Sequence, residues 1–292
     1  MTEANKKEIV LLLEQFIGQF PSQAQAAARL KNVSEAIIIQ MRKQRWDAIS
    51  DDMWRNVGKQ LNWGGNSNWS LVETLDFKTL VTYFSDAKDY GNVFAIVGAA
   101  GSGKSATAEW FAKHKQNVYH VTCAEFWNRK MFLNKLLEKM GKENTGYNIG
   151  EMMDVIVETL LKQDRPLIIL DEADKLNDQA LYFFITLYNM LKGKCGIVIM
   201  ATEFLSKRVM RGYKLNKKGY AEILSRIGRR FVQLHGADKG EIKEICQANG
   251  IEDPMSVNEI INDFGKEEDI DLRRVERLVH KARVKKSKPI AA

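Results

Sequence analysis

The chain has 292 residues, 45% of them apolar and 28% charged, a balance that supports one or two packed domains and excludes a disordered or fibrous chain. Its longest apolar runs, such as Val93 to Val97 and Ile197 to Ala201, fall far short of the roughly 20 residues of a membrane-spanning helix, so no bilayer crossing is expected. The net charge of +7 is uneven: nine basic residues face two acidic ones over 201–230 and eight face one over 273–288, which suits contact with a polyanion or, more plainly, solvated helix faces and a basic tail.

At the N-terminus, Ile9, Leu12, Leu13, Phe16 and Phe20 recur at helical spacing, and Glu14 and Gln15 interrupt the apolar stretch too early for a signal peptide. Ser22 to Leu30 reads as a second helix, and Ser34 can cap a third, Glu35 to Arg42, after the turn Lys31-Asn32-Val33. Two short helices joined so tightly, with Gln23, Ala27, Val33 and Ile37 at matching positions, resemble a helix-turn-helix. Its second helix would present Ser34, Glu35, Ile38, Gln40 or Met41 and Arg42 to a groove, and Gln23, Ser34 and Arg42 are its candidate DNA contacts. Glu35 and three consecutive isoleucines suit a groove poorly, which keeps a protein-interaction module as the alternative. Trp46, Trp54, Trp63 and Trp69 read as core packing, with base stacking as their other use.

Gly64 to Asn68 has the composition of a flexible linker, which divides the chain into a helical domain over 1–63, a linker over 64–70 and the remainder. Five β-branched runs then alternate with helical patterns: Val93 to Val97, Val118 to Thr122, Leu167 to Leu170, Ile197 to Met200 and Phe231 to Leu234. They predict an α/β layer with a largely parallel sheet over 71–236. Residues 237–292 read as helices, with Asp238 capping one that Gly250 ends, Ser256 and Glu259 forming a capping box for the next, and a last helix running from about Asp269 into the basic tail. Cys123, Cys195 and Cys246 form neither a disulfide framework nor a CxxC metal site, so a reducing cytoplasm is expected.

Gly98-Ala99-Ala100-Gly101-Ser102-Gly103-Lys104-Ser105 fits G-x-x-x-x-G-K-[ST], follows a strand-like run and opens a helix at Ala106. Glycines let successive N–H groups and the helix N-terminus face phosphates, Lys104 would reach the β and γ phosphates of ATP, and the Ser105 hydroxyl would ligate Mg²⁺. At the end of Leu167 to Leu170, Asp171 would hold the metal and Glu172 would polarise water, a pair that a small-molecule kinase has no need of; the plain alternative is two strand-end acids. Thr202, after the run Ile197 to Met200, would sense the γ-phosphate or cap a helix. Between Thr202 and Arg226, a loop bearing Lys207, Arg208, Arg211, Lys214, Lys217 and Lys218 suits contact with the DNA backbone. In the tail, Lys281, Arg283, Lys285, Lys286 and Lys288 would meet phosphates or an acidic partner.

This order of P-loop, Asp-Glu pair, polar strand end, arginine-rich segment and small helical domain resembles the AAA+ ATPases. The resemblance implies an arginine finger supplied to the neighbouring subunit, matched best by Arg226 with Arg229 and Arg230 close by, and a lid arginine matched by Arg273 with Arg274 adjacent. Together with the N-terminal helices, the order is similar to that of transposition ATPases within the class. That likeness implies ATP-dependent assembly as a filament or ring on duplex DNA, capture of that DNA for a transposase, and release on hydrolysis. A helicase loader and a nucleotide-switched operator-binding regulator are the alternatives.

Overall fold

The computed structural model describes residues 1–18, 20, 22–61, 63, 69–265 and 270–287, the last two of these by backbone alone. Residues 64–68 of the expected linker, Asp269, the Lys286 side chain and Lys288 lie outside the described residues. Two compact units emerge, Met1–Trp69 and Ser70–Ala292.

In the first unit, α1 (Glu3–Ile17), α2 (Gln23–Ala27), α3 (Glu35–Arg42) and α4 (Asp51–Gln60) enclose one core. Side chains of Thr2, Ser22, Ser34 and Ser50 each accept an N–H of the first turn that follows, which sets where the four helices begin. The α2–α3 turn passes through Asn32 at φ 57, the left-handed conformation that asparagine tolerates, and Gln60 fastens it by accepting the Lys31 N–H at 2.7 Å and donating to the Lys31 carbonyl at 2.9 Å. Trp54 is fully buried with Trp46 edge-on at 5.8 Å, and Trp63 donates to Glu8 at 2.9 Å, so these rings serve the core and its margin. Ile38 and Met41 are likewise fully buried; they face this core, and the expectation that α3 turns them toward a groove is corrected. The outer side of α3 carries Glu35, Ala36, Ile39, Arg42 and Lys43.

The second unit opens with α5 (Leu75–Tyr90), followed by β1 (Val93–Val97), α6 (Lys104–His114), β2 (Val118–Thr122), α7 (Arg129–Met140), α8 (Ile149–Leu161) and β3 (Leu167–Asp171). It continues through α9 (Asp178–Leu181), α10 (Phe183–Leu191), β4 (Gly196–Ala201), α11 (Glu203–Lys214), α12 (Tyr220–Arg226) and β5 (Phe231–Gln233). The sheet order is β2-β3-β4-β1-β5, with every pairing parallel. Alternate strand residues serve opposite layers: Ile168, Leu170, Ile197 and Ile199 pack with α7, α8 and α10, while Leu167, Ile169, Val198 and Met200 pack with α5 and α6. Because all strands run the same way, the turns after β1, β3 and β4 gather at one edge, the carboxyl edge, where open α/β sheets bind ligands.

The chain ends in α13 (Lys239–Ala248), α14 (Pro254–Asn262) and α15 (Leu272–Ser287). Asp238 and Glu241 form the capping box of α13, and Gly250 follows its end at φ 79. Asp253 caps α14, with Pro254 in its first turn and Ser256 donating to Asp253; the expected Ser256–Glu259 box is corrected, since Pro254 has no N–H to leave unpaired and fixes the helical φ one turn earlier. The stretch expected as a basic loop is also corrected, because 203–214 forms α11, capped by Thr202.

Candidate nucleotide site

After β1 the chain turns through Gly101 at φ 78 and Gly103 at φ 89, conformations that glycine adopts without strain, and enters α6. No side chain caps α6, which leaves its first N–H groups for a phosphate. Lys104 is 8% exposed and curls back over the loop, donating to the Gly98 and Ala99 carbonyls, both at 2.8 Å, and to Ser102 Oγ at 3.1 Å. Burial pushes its pKa below the ordinary lysine value, while Asp171, Asp174 and Asp76 oppose that shift. An ammonium held this way by neutral carbonyls can exchange them for anionic oxygens, which solvate it better.

Asp171 is 1% exposed at the end of β3 and accepts the Glu172 N–H at 2.9 Å and His120 Nε2 at 3.3 Å, with Ser105 near enough to favour its charged form. Burial alone would raise its pKa, but these hydrogen bonds outweigh it and hold the carboxyl below the usual aspartate range. Ser105 and Asp171, the two residues expected to hold Mg²⁺, are thus brought together with the acid ionised. Among the described residues no cluster of three or more His, Cys, Asp or Glu side chains would hold a metal alone. One carboxylate and one hydroxyl suit Mg²⁺, which keeps waters and takes its other ligands from phosphates.

Glu172, the expected base, sits at φ 54 and pairs with Lys175 at 2.6 Å. Thr202 does two things at once: it caps α11, and its Oγ1 donates to Asp174 Oδ2 at 2.6 Å. The helical end closes on the loop from the other side. Leu272 N donates to the Gly101 carbonyl at 3.0 Å, and a Cβ at Gly101 would lie 1.9 Å from Asp271 Oδ1, so only glycine fits beneath the lid. Asp271 also accepts the Arg273 N–H at 2.9 Å, and the Arg273 charge reaches Lys104. Ala100 and Ala106 complete the P-loop segment around these groups.

The arginine-rich segment is partly anchored. Arg226 donates to Asn189 at 2.9 Å, pairs with Glu222 at 3.1 Å and lies over the Tyr188 ring, with 16% of its side chain exposed. Arg229, at φ 57 over Tyr213, and Arg230 are exposed.

Of the residues expected to meet DNA, Lys207, Arg211, Lys214, Lys217 and Lys218 are exposed on α11 and the turn beyond it. Arg208 is corrected: its guanidinium turns inward to the Asp174 and Leu176 carbonyls, the Asp178 carboxylate and Tyr220 Oη. It braces α11 and is not free for phosphate. In the first unit, Ser34 caps α3, while Arg42 pairs with Glu14 at 2.7 Å and donates to Gln23. His120, Asp174, Asp178, Tyr220 and Asp271 were missed at the sequence level. Only Asp174, two residues after the Asp-Glu pair, carried a local signal; the others become visible through sheet register and helix packing.

Residues 87–209 match the family model described as AAA domain, a span of under half the chain that includes the P-loop, the Asp-Glu pair and Thr202. The matched family generally hydrolyses ATP with Mg²⁺, and the parallel sheet with a glycine-rich turn after β1 at its carboxyl edge is in keeping with nucleotide binding by this unit. No curated protein matches the chain. No helix among the described residues is long and apolar enough to cross a membrane.

Proposed function

We propose that the chain is an ATPase that assembles on duplex DNA when ATP is bound, holds that DNA with little sequence preference as a target for a transposase, and lets go on hydrolysis. In this reading Lys104, Ser105 and Asp171 hold ATP with Mg²⁺, Glu172 activates water, Thr202 and Arg273 sense the γ-phosphate, and the 226–230 segment supplies an arginine to the neighbouring subunit. The observation that carries the DNA part is the placement of α11: it starts at Thr202, at the nucleotide edge, and shows solvent a face of Lys207, Arg211 and Lys214 with Phe204 61% exposed among them. A helix capped by the sensor residue ties a cationic face to the nucleotide site, and cations that reach phosphates alone bind without reading sequence. The order of parts is similar to that of the transposition B protein of phage Mu, which supports the transposase as partner.

Fluorescence anisotropy with a random-sequence duplex tests the reading. ATP should tighten binding over ADP and over no nucleotide, Lys104→Ala should abolish that difference, and unlabelled duplexes of unrelated sequence should compete equally. Strong preference for one duplex would instead favour an operator-binding regulator, and binding indifferent to nucleotide would overturn the coupling.

A further inference from the structure

His120 has no place in the expected chemistry, yet it touches the residue that would hold the metal. On β2, which lies at the sheet edge, Thr122 stands opposite Asp171 in register, and His120, two residues earlier, shares Thr122's face. Its side chain is 12% exposed, and Nε2 lies 3.3 Å from Asp171 Oδ2. A carboxylate has no hydrogen to give, so Nε2–H is the donor. The same carboxylate takes the Glu172 N–H on Oδ1, at 2.9 Å. Backbone and imidazole therefore grip opposite oxygens of one buried carboxylate, which removes its freedom to rotate about the Cβ–Cγ bond.

We propose that His120 is a positioning residue for metal binding: its Nε2–H fixes the plane of the Asp171 carboxylate so that the remaining lone pairs face the Ser105 hydroxyl and the Mg²⁺ of the bound nucleotide. The proposal rests on the nucleotide reading of this site. Ligating carboxylates in metal sites are held by such outer hydrogen bonds, whose loss typically costs about 10- to 100-fold in metal affinity. Without the imidazole, Asp171 remains charged and buried but can turn, and the metal loses a preset ligand.

The test measures the Kd of a fluorescent N-methylanthraniloyl ATP with Mg²⁺ and again in EDTA, and takes the ratio of the EDTA value to the Mg²⁺ value, the factor by which the metal tightens binding. A merely structural role of His120 changes both constants together and leaves the ratio alone. His120→Phe, which keeps a ring and removes the donor, should lower the wild-type ratio about tenfold or more, while its Kd in EDTA stays near wild type. His120→Gln, whose amide nitrogen reaches a similar point, should restore most of the ratio. Should His120→Phe not fold, His120→Asn, polar but too short to bridge, takes its place with the same expectation. A wild-type ratio in the donor-less variant, or a ratio in His120→Gln as low as in His120→Phe, overturns the proposal. Wild-type protein that binds the analogue in neither condition overturns the nucleotide reading itself, and the two failures are thereby told apart.

Discussion

Glu172 takes a left-handed backbone conformation, φ 54, that side chains other than glycine adopt at a cost of order 1–3 kcal/mol. The strand before it is buried in the sheet and the short turn after it is held by the Lys175 N–H on the Glu172 carbonyl at 3.0 Å, so the surrounding structure imposes the conformation. Two outcomes follow for this position. Glu172→Gln should keep ATP binding and stop turnover, leaving the protein in its ATP-bound form; turnover at the wild-type rate in a single-turnover assay would remove Glu172 as the base. Glu172→Gly should also stop turnover while raising core stability by up to about 1 kcal/mol, since glycine meets no steric penalty there. Chemical denaturation of the two variants side by side checks this, and equal midpoints would show that the conformation stores no strain. In the helical first unit, Trp54→Ala should cost about 3–5 kcal/mol, the usual loss for a fully buried large aromatic, read from that unit's own unfolding transition.

At the scale of elements, the helix pair α11 and α12 shows what the residue pattern hid. Charge density suggested a loop over 207–218, but the buried stripe Leu205, Val209 and Gly212 runs at helical spacing, and Gly212 is small because a Cβ there would lie 2.4 Å from the Tyr220 ring. The close approach of two helices, absent from any local signal, is what the glycine serves. Arg208 was misread for the same reason, since its cationic type was legible but its inward partners were not. These partners make an acid-sensitive brace. Burial would raise the Asp178 pKa, yet hydrogen bonds from Tyr220 Oη, at 2.7 Å, and from Arg208 hold it below the ordinary aspartate value. A carboxyl depressed in the folded state contributes stability above its unfolded pKa of about 3.9, and that contribution is lost as pH falls through the lower folded value. Asp178→Asn should therefore destabilise the core at pH 7 and do little near the acid end of the transition, as urea midpoints at the two pH values would show. An equal loss at both would mean that the carboxylate charge contributes nothing to the brace. On the outer face, each of Lys207, Arg211, Lys214, Lys217 and Lys218 that meets a phosphate should lower the slope of log K against log salt by about 0.9 when replaced by alanine; unchanged slopes would place the DNA elsewhere.

Across the whole molecule, the sequence disclosed those parts that local chemistry dictates. The central strands β3 and β4 appeared as unbroken apolar runs, because strands buried on both faces of a parallel sheet must be apolar throughout. The P-loop and the Asp-Glu pair were legible because phosphate and metal fix residue type and spacing together. The lid was legible as a trio of helices with an arginine motif at Arg273, but nothing in Asp271-Leu272 announces that it rests on Gly101, a contact about 170 residues away along the chain. His120 was illegible for a like reason, since register across β2 and β3 is what brings it to Asp171. Within its own chain Arg226 is anchored to Asn189 and Glu222, which leaves Arg229 and Arg230 as the exposed arginines of that segment. If one of these completes a neighbour's site, the monomer is an incomplete enzyme and hydrolysis requires assembly. The direct test is electron microscopy with sedimentation of the purified protein on random-sequence duplex, in ATP, in ADP and without nucleotide. The account predicts filaments or rings on DNA in ATP alone, and unassembled protein in all three conditions would contradict it.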